Sequence, residues 1–190
     1  MIAISASYVR QKREAQFQQA QRAAAETEFL RLQASHDDLT GVLNRRGLFD
    51  RLAADDVTEG TIVVLDCDDF KEVNDTYGHL VGDEFLQGIA GRLSGSISRD
   101  DCVARWGGDE FLIFLKVPYD QGAPVADRVV AELMSRPMKT EAGLIPVSLS
   151  AGAAPLSSTM KLDQAIAVAD KAMYAAKATG SGTIVRGAGA

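Results

Sequence analysis

Two short acidic runs hold most of the chemical potential of this sequence. The first, Asp66-Cys67-Asp68-Asp69-Phe70-Lys71, begins where the β-branched apolar run Thr61-Ile62-Val63-Val64-Leu65 ends. Carboxylates crowded at the end of a buried strand repel one another and lose hydration, so a positive charge is expected beside them. A hard cation such as Mg²⁺ meets that need, because it takes oxygen ligands and bridges to substrate phosphates with only one or two protein carboxylates. Strand alternation sends Asp66 and Asp68 to the same face. The competing reading is that these acids cap the helix that follows and do nothing further. The second run is Gly107-Gly108-Asp109-Glu110. Paired glycines permit positive φ and a close backbone approach to a ligand, and the neighbouring acids can reach a metal. An ordinary type I′ hairpin with exposed charge would carry the same residues. Taken together, two acid-bearing turns at strand ends of one small sheet could share a metal and a triphosphate.

The elements that must position these runs are legible from composition and period. Residues 10–35 are rich in Ala, Gln, Glu and Arg with no Pro or Gly, which reads as one long exposed helix. Phe17, Ala20 and Ala24 lie at 3–4 spacing, and Phe29 and Leu32 continue the stripe after a skip. No heptad is sustained, so a solvated helix leaning on the domain and a dimerising stalk both remain open. Asn44 is placed to cap a helix over 45–52, and helical periodicity returns at 70–77 and 83–93. Residues 102–106 and 111–115 are strand-like runs around the Gly-Gly turn, the pattern of a β-hairpin. A helix over 125–134, a strand over 145–153, an Ala-rich helix over 162–178 and a short closing strand at 183–185 complete the pattern. Such a mixture implies an α+β fold, with a central, mainly antiparallel sheet covered by helices. The division expected is an N-terminal helix at 1–35, one catalytic domain at 36–183 and a flexible tail at 184–190.

At 190 residues and 46% hydrophobic composition, the chain has room for one substantial core. A net charge of −6 leaves no basic footprint for gripping a nucleic-acid polymer. Cys67 and Cys102 show neither CxxC spacing nor a secretory context, which speaks against a disulfide framework or a zinc site. The apolar stub at 1–9 is too short to span a bilayer and lacks the charged leader of a signal peptide. Membrane contact by this chain is therefore not expected, and the setting is read as the cytoplasm, as a free protein or as the cytoplasmic part of a larger sensor.

The run Arg105-Trp106-Gly107-Gly108-Asp109-Glu110-Phe111 resembles the signature of the GGDEF family, the diguanylate cyclases. Further segments agree in order: Asp38-Leu39-Thr40-Gly41 with Asn44-Arg45-Arg46, Asp66 to Lys71 with Asn74-Asp75, Tyr77-Gly78-His79 with Gly82-Asp83, Ser150-Ala151-Gly152, and Ala169-Asp170 with Ala172-Met173-Tyr174, Ala176 and Lys177. The resemblance covers about 37–180 and implies a nucleotidyl-cyclase or palm-like fold. It implies that Asp66, Asp109 and the Cys67 backbone carbonyl bind Mg²⁺, with Mn²⁺ a workable substitute, and that Asp109, Glu110 and Lys71 serve catalysis. Asn74 and Asp83 fall on the family's guanine-reading positions, and a carboxylate and an amide there can meet the donors and acceptors of guanine. Phe70, His79, Gly108 and Lys177 join them as substrate-binding residues, although Asn74, Asp83, His79 and the lysines all have plain structural readings. Retention of Asp83 favours GTP. The implied reaction joins two GTP into cyclic di-GMP and pyrophosphate at a homodimer interface.

Two departures stand out. Ser181 occupies the place of a phosphate-binding Arg, and Ser98 that of the Arg in a product-inhibition motif whose Asp is Asp101, with Arg99 displaced by one. Weak feedback inhibition is expected. The missing Arg also keeps open a binding module without turnover, while a purely structural dimerisation domain would leave the convergence of acids unexplained.

Overall fold

The computed structural model describes residues 2–179 and 184–187. A 34-residue helix, α1 (Ile2–Ser35), leads into β1 (Leu43–Asn44) and α2 (Arg45–Ala54). The long strand β2 (Gly60–Cys67) is followed by two consecutive helices, α3 (Phe70–Tyr77) and α4 (His79–Ser96). Next come β3 (Cys102–Gly107), β4 (Glu110–Leu115) and α5 (Tyr119–Met134). The chain closes with β5 (Met138–Thr140), β6 (Gly143–Ile145), β7 (Leu149–Leu156), α6 (Leu162–Thr179) and β8 (Ile184–Arg186).

The main sheet has the order β1-β3-β4-β2-β7-β8, and β5 and β6 form a separate hairpin. Pairing is antiparallel through the middle and parallel at both edges, where β1 joins β3 and β8 joins β7. The α+β reading with a mainly antiparallel sheet is therefore correct. Because β2 is central, both its faces are buried, and alternate residues serve different cores. Val63, Leu65 and Cys67 pack with Phe85, Leu86 and Ile89 of α4 and Val129 and Val130 of α5. Ile62 and Val64 pack on the opposite face with Leu48 and Leu52 of α2 and Ile166 and Met173 of α6. Close contact of α6 with β7 depends on Gly152, where a methyl group would run into the backbone of Ala169 and Met173.

Several boundaries move from the sequence reading. α1 begins at Ile2 rather than 10, because nothing in the apolar stub breaks a helix. α4 begins at His79 rather than 83, since Gly78 (φ +85°) ends α3 and starts α4 at one residue. α5 begins at Tyr119 rather than 125. The strand expected over 145–153 is two strands, broken at Pro146, which has no N–H to donate to a ladder. The β5–β6 hairpin was not foreseen; its turn uses Gly143 at φ +114°. The closing strand lies at 184–186, while Thr183, Gly180, Ser181 and Gly182 lie outside the described residues.

Candidate active site

The two acidic runs meet. Asp66, near the end of β2, is paired in register with Glu110 at the start of β4 on one side and with Ser150 of β7 on the other. Directly opposite residues of neighbouring strands share a face, so Asp66 and Glu110 project together toward α6. The Cys67 N–H donates to the Asp109 carbonyl at 3.3 Å, tying the Gly-Gly turn to the strand end. Lys177, near the C-terminus of α6, places its Nζ 2.7 Å from Asp66 Oδ1.

The electrostatics are those of a site short of positive charge. Burial pushes the Asp66 carboxyl above its ordinary value; Lys177 pulls it down, and Asp109 and Asp68 push it up again, with a net upward result. Glu110 is also raised, first by burial and then by Asp66, Asp170 and Asp109. For Lys177, burial opposes the charged form, but the hydrogen bond and attraction from Asp66 outweigh it, and its pKa is raised. The lysine does not neutralise the cluster, because its partner stays raised despite it. Oxygen donors under mutual repulsion suit a hard divalent cation. Among the described residues, no three His, Cys, Asp or Glu side chains close into a ready-made cage.

Asp68 has another job. Its carboxylate accepts from the Ser148 and Ser150 hydroxyls at 2.8 and 2.7 Å, and its N–H donates to the Ser148 carbonyl, which staples the end of β2 to β7. Capping does not account for Asp69 either: it occupies the N-cap position of α3 in the left-handed region (φ +56°), yet its side chain makes no capping bond.

The Gly-Gly turn differs from expectation. Neither Gly107 nor Gly108 has positive φ, so the type I′ reading is wrong, and the strand register shifts between Arg105 and Gly107. What shapes the turn is Arg105, whose Nε and Nη2 donate to the Gly108 carbonyl at 2.9 and 2.7 Å. Its Nη1 donates to Asp37 at 3.0 and 3.3 Å. Asp37 also accepts from the Thr40 N–H and hydroxyl. Sequence reasoning gave neither residue a role, although Arg105 opens the recognised signature and Asp37 stands just before the first matching segment. Beyond Glu110 lies a cavity of ≈ 490 Å³ walled by Trp106, Asp170 and Arg45, whose guanidinium lies over the Trp106 ring at 4.4 Å.

The remaining candidates lie on α3 and α4. Phe70 packs its ring 6.1 Å from Phe85. Lys71 and His79 are exposed, and Asn74 and Asp83 are half-buried. Asp83 sits inside α4 rather than at its start, which removes the N-cap explanation for it. Among the described residues the side chains of Lys71, Asn74, His79, Asp83, Asp109 and Glu110 make no hydrogen bond or ion pair. Cys67 and Cys102 are buried, unpaired thiols, each pushed up by burial and so held in the unreactive form.

Asp101 is occupied. Its carboxylate accepts from the backbone N–H groups of Ser98 and Lys116 at 2.9 and 2.8 Å.

Residues 34–183 match the family model described as diguanylate cyclase, GGDEF domain. The chain is 36% identical over 161 residues to the diguanylate cyclase DosC of Escherichia coli, aligning 80% of itself with 35% of that protein. It is likewise 36% identical over 155 residues to the diguanylate cyclase DgcS of Shewanella oneidensis, aligning 78% of itself with 51% of that protein. The chain thus spans about a third to a half of these relatives' length. Among solved structures, the coiled coil and GGDEF domain of DgcB from Caulobacter crescentus in complex with c-di-GMP superposes with a TM-score of 0.81 at 26% identity, over 94% of this chain and 98% of that one. The diguanylate cyclase SiaD of Pseudomonas aeruginosa, in complex with its activator SiaC, gives a TM-score of 0.75 at 29% identity, over 97% and 76%.

Proposed function

Because this chain belongs to the diguanylate cyclase GGDEF-domain family, we propose that it condenses two GTP into cyclic di-GMP with release of two pyrophosphates. The ribose 3′-oxygen of one GTP attacks the α-phosphorus of the other, the P–O bond to the leaving pyrophosphate breaks, the hydroxyl proton passes to water, and the reciprocal step closes the ring. The observation that carries this reading is the in-register pair Asp66–Glu110 with the Asp109 backbone tied to Cys67, a carboxylate-rich strand end with raised acids. Asp66, Asp109 and the Cys67 carbonyl would hold Mg²⁺ or Mn²⁺. A bound divalent ion would neutralise the triphosphate and make the attacking hydroxyl more acidic.

The chain's own groups supply the rest. Lys71, which has no partner among the described residues, and Lys177, which now rests on Asp66, would serve the phosphates, and Glu110 would act beside them. Gly108 offers backbone without a side chain in the way. Asn74 and Asp83, with Phe70 and His79 nearby, are assigned to guanine. A site that takes one GTP needs a second facing it, which an isologous homodimer provides. Feedback by product should be weak, since Ser98 offers no guanidinium and backbone amides already occupy both Asp101 oxygens.

Incubation with GTP and Mg²⁺ followed by chromatography tests the proposal. Wild type should yield cyclic di-GMP and pyrophosphate, Asp109→Ala should lose at least about a hundredfold in rate, and added cyclic di-GMP should scarcely slow the reaction. Full turnover by Asp109→Ala sinks the metal assignment. No product from a folded, dimeric wild type favours a nucleotide-binding module, the second reading, for which Ser181 in place of a phosphate-binding Arg is the specific support.

A further inference from the structure

We infer that Gly82 is a specificity-determining position, which acts by leaving room for the Asn74 carboxamide to lie against α4 beside Asp83. This rests on the assignment of Asn74 and Asp83 to the guanine base. Four glycines follow one another along α4, at 82, 88, 91 and 95, although glycine is among the poorest helix formers. Gly91 and Gly95 face open space, and a methyl group at Gly88 would strike the flexible end of Met138. Gly82 is different. It is buried, and a methyl group there would overlap the Asn74 carboxamide oxygen outright and press on Phe70 Cζ at 3.3 Å. Both crowded residues come from α3, and both are candidate substrate-binding residues. The three nearest atoms outside the helix's own backbone all belong to side chains.

The chemistry of the collision decides its consequence. A carboxamide is the far end of a side chain with two free torsions, so it can swing away at little cost to the fold. Displaced by a methyl group at 82, it moves off the surface that carries Asp83, and the two groups can no longer meet one base edge together. Discrimination by hydrogen bonding depends on such placement, because a misplaced partner leaves polar groups of base and site unpaired. Gly82 touches no reacting atom; it is a positioning residue.

Calorimetry on the full chain with Mg²⁺ and either GDP or ADP, neither of which can cyclise, tests this. Gly82→Ala should melt at or above the wild-type temperature, bind GDP about tenfold or more weakly, and leave ADP affinity unchanged, so that the base preference collapses. Gly91→Ala, on the same helix in open space, should leave both affinities alone. In an Asn74→Ala background, where the collision partner is gone, Gly82→Ala should add nothing. Wild-type GDP affinity in Gly82→Ala, or a penalty that persists in full without Asn74, overturns the inference. If Asn74→Ala alone binds GDP normally, the guanine assignment falls and takes this inference with it; if Asn74→Ala is impaired and Gly82→Ala is not, only the role of Gly82 falls. Should Gly82→Ala prove unstable, recovery of its melting temperature by Asn74→Ala supports the collision, and failure to recover refutes it.

Discussion

Arg105 is the side chain that ties the Gly-Gly turn to the start of the domain. Three of its nitrogens are committed, two to the Gly108 carbonyl and one to Asp37, and that fork geometry is available to a guanidinium and not to an ammonium. Arg105→Lys should therefore fold, keep its discrimination of GDP from ADP through α3 and α4, and lose on the order of 10- to 100-fold in turnover, because the turn bearing Asp109 and Glu110 drifts. Asp37 provides an independent check. Burial pushes its carboxyl up, but hydrogen bonds from Thr40 and Arg105 outweigh that and hold it below its ordinary 3.8. A carboxyl depressed in the fold contributes its full stability above the unfolded value and loses it as pH falls through the folded one. The melting-temperature gap between wild type and Asp37→Asn should thus be widest near neutrality and close in acid below about 3.8; a gap unchanged across that range would refute the pairing. Asp66, Asp109 and Glu110 were legible as candidates because strand-like runs abut them. Arg105–Asp37 was not, because its partners stand 68 residues apart and nothing local links them. The stapling role of Asp68 was hidden for the same reason: its partners, Ser148 just before β7 and Ser150 within it, stand 80 and 82 residues further on.

At the level of elements, α4 and α5 lie on one sheet face, and each helix sends an arginine to the C-terminal end of the other, at its last turn or just beyond it. Arg92 of α4 donates to the carbonyls of Leu133, Arg136 and Pro137, and Arg128 of α5 donates to the Ser96 carbonyl. Terminal carbonyls lack intrahelical donors and carry the negative end of the helix dipole, so a cation there stabilises twice over. Arg92→Ala should cost roughly 2 kcal/mol, the scale of hydrogen bonds to a charged group, and lower the melting point by roughly 2–4 °C per kcal/mol in a domain of this size. Turnover at low temperature should not change, since Arg92 is remote from Asp66 and Glu110. A melting point that stays put would mean water serves those carbonyls equally well. Strands and helices were legible here in kind and order, as the β-branched run at β2 and the Ala-rich run at α6 illustrate. Their ends were not. Gly78 closes α3 through its N–H to Asn74 and opens α4 through its carbonyl to Gly82, and period alone does not reveal that one residue serves two helices. The β5–β6 hairpin is too short for its alternation to register.

For the molecule as a whole, the question is what α1 transmits. At 34 residues it is roughly 50 Å long at 1.5 Å per residue. Among the described residues it meets the domain against α2, and Tyr8 and Phe17 are 66% and 62% exposed. No helix among the described residues is long and apolar enough to cross a membrane. The junction is hydrogen-bonded. Asn44 donates to the Ala34 and His36 carbonyls at the end of α1, while its own carbonyl oxygen accepts from the Gly47 N–H at the start of α2. Two residues past α1's end, beyond His36, Asp37 holds Arg105 and Arg105 holds the Gly108 carbonyl, so two side chains link the end of α1 to the Gly-Gly turn. A helix that pairs with its copy would bring two such domains together in fixed orientation. Removing residues 2–33 leaves the family-matched region from 34 onward, and it should leave GDP binding per chain intact, since every residue proposed to hold the nucleotide lies within that region. Sedimentation should then show a shift toward monomer at equal concentration, and turnover of GTP should fall by more than tenfold while rising more steeply with protein concentration, as expected when a reaction between two chains loses its tether. A shortened chain that turns over GTP at the original rate, with unchanged sedimentation, would mean the domains find each other without α1, and the helix would be left without a part in catalysis.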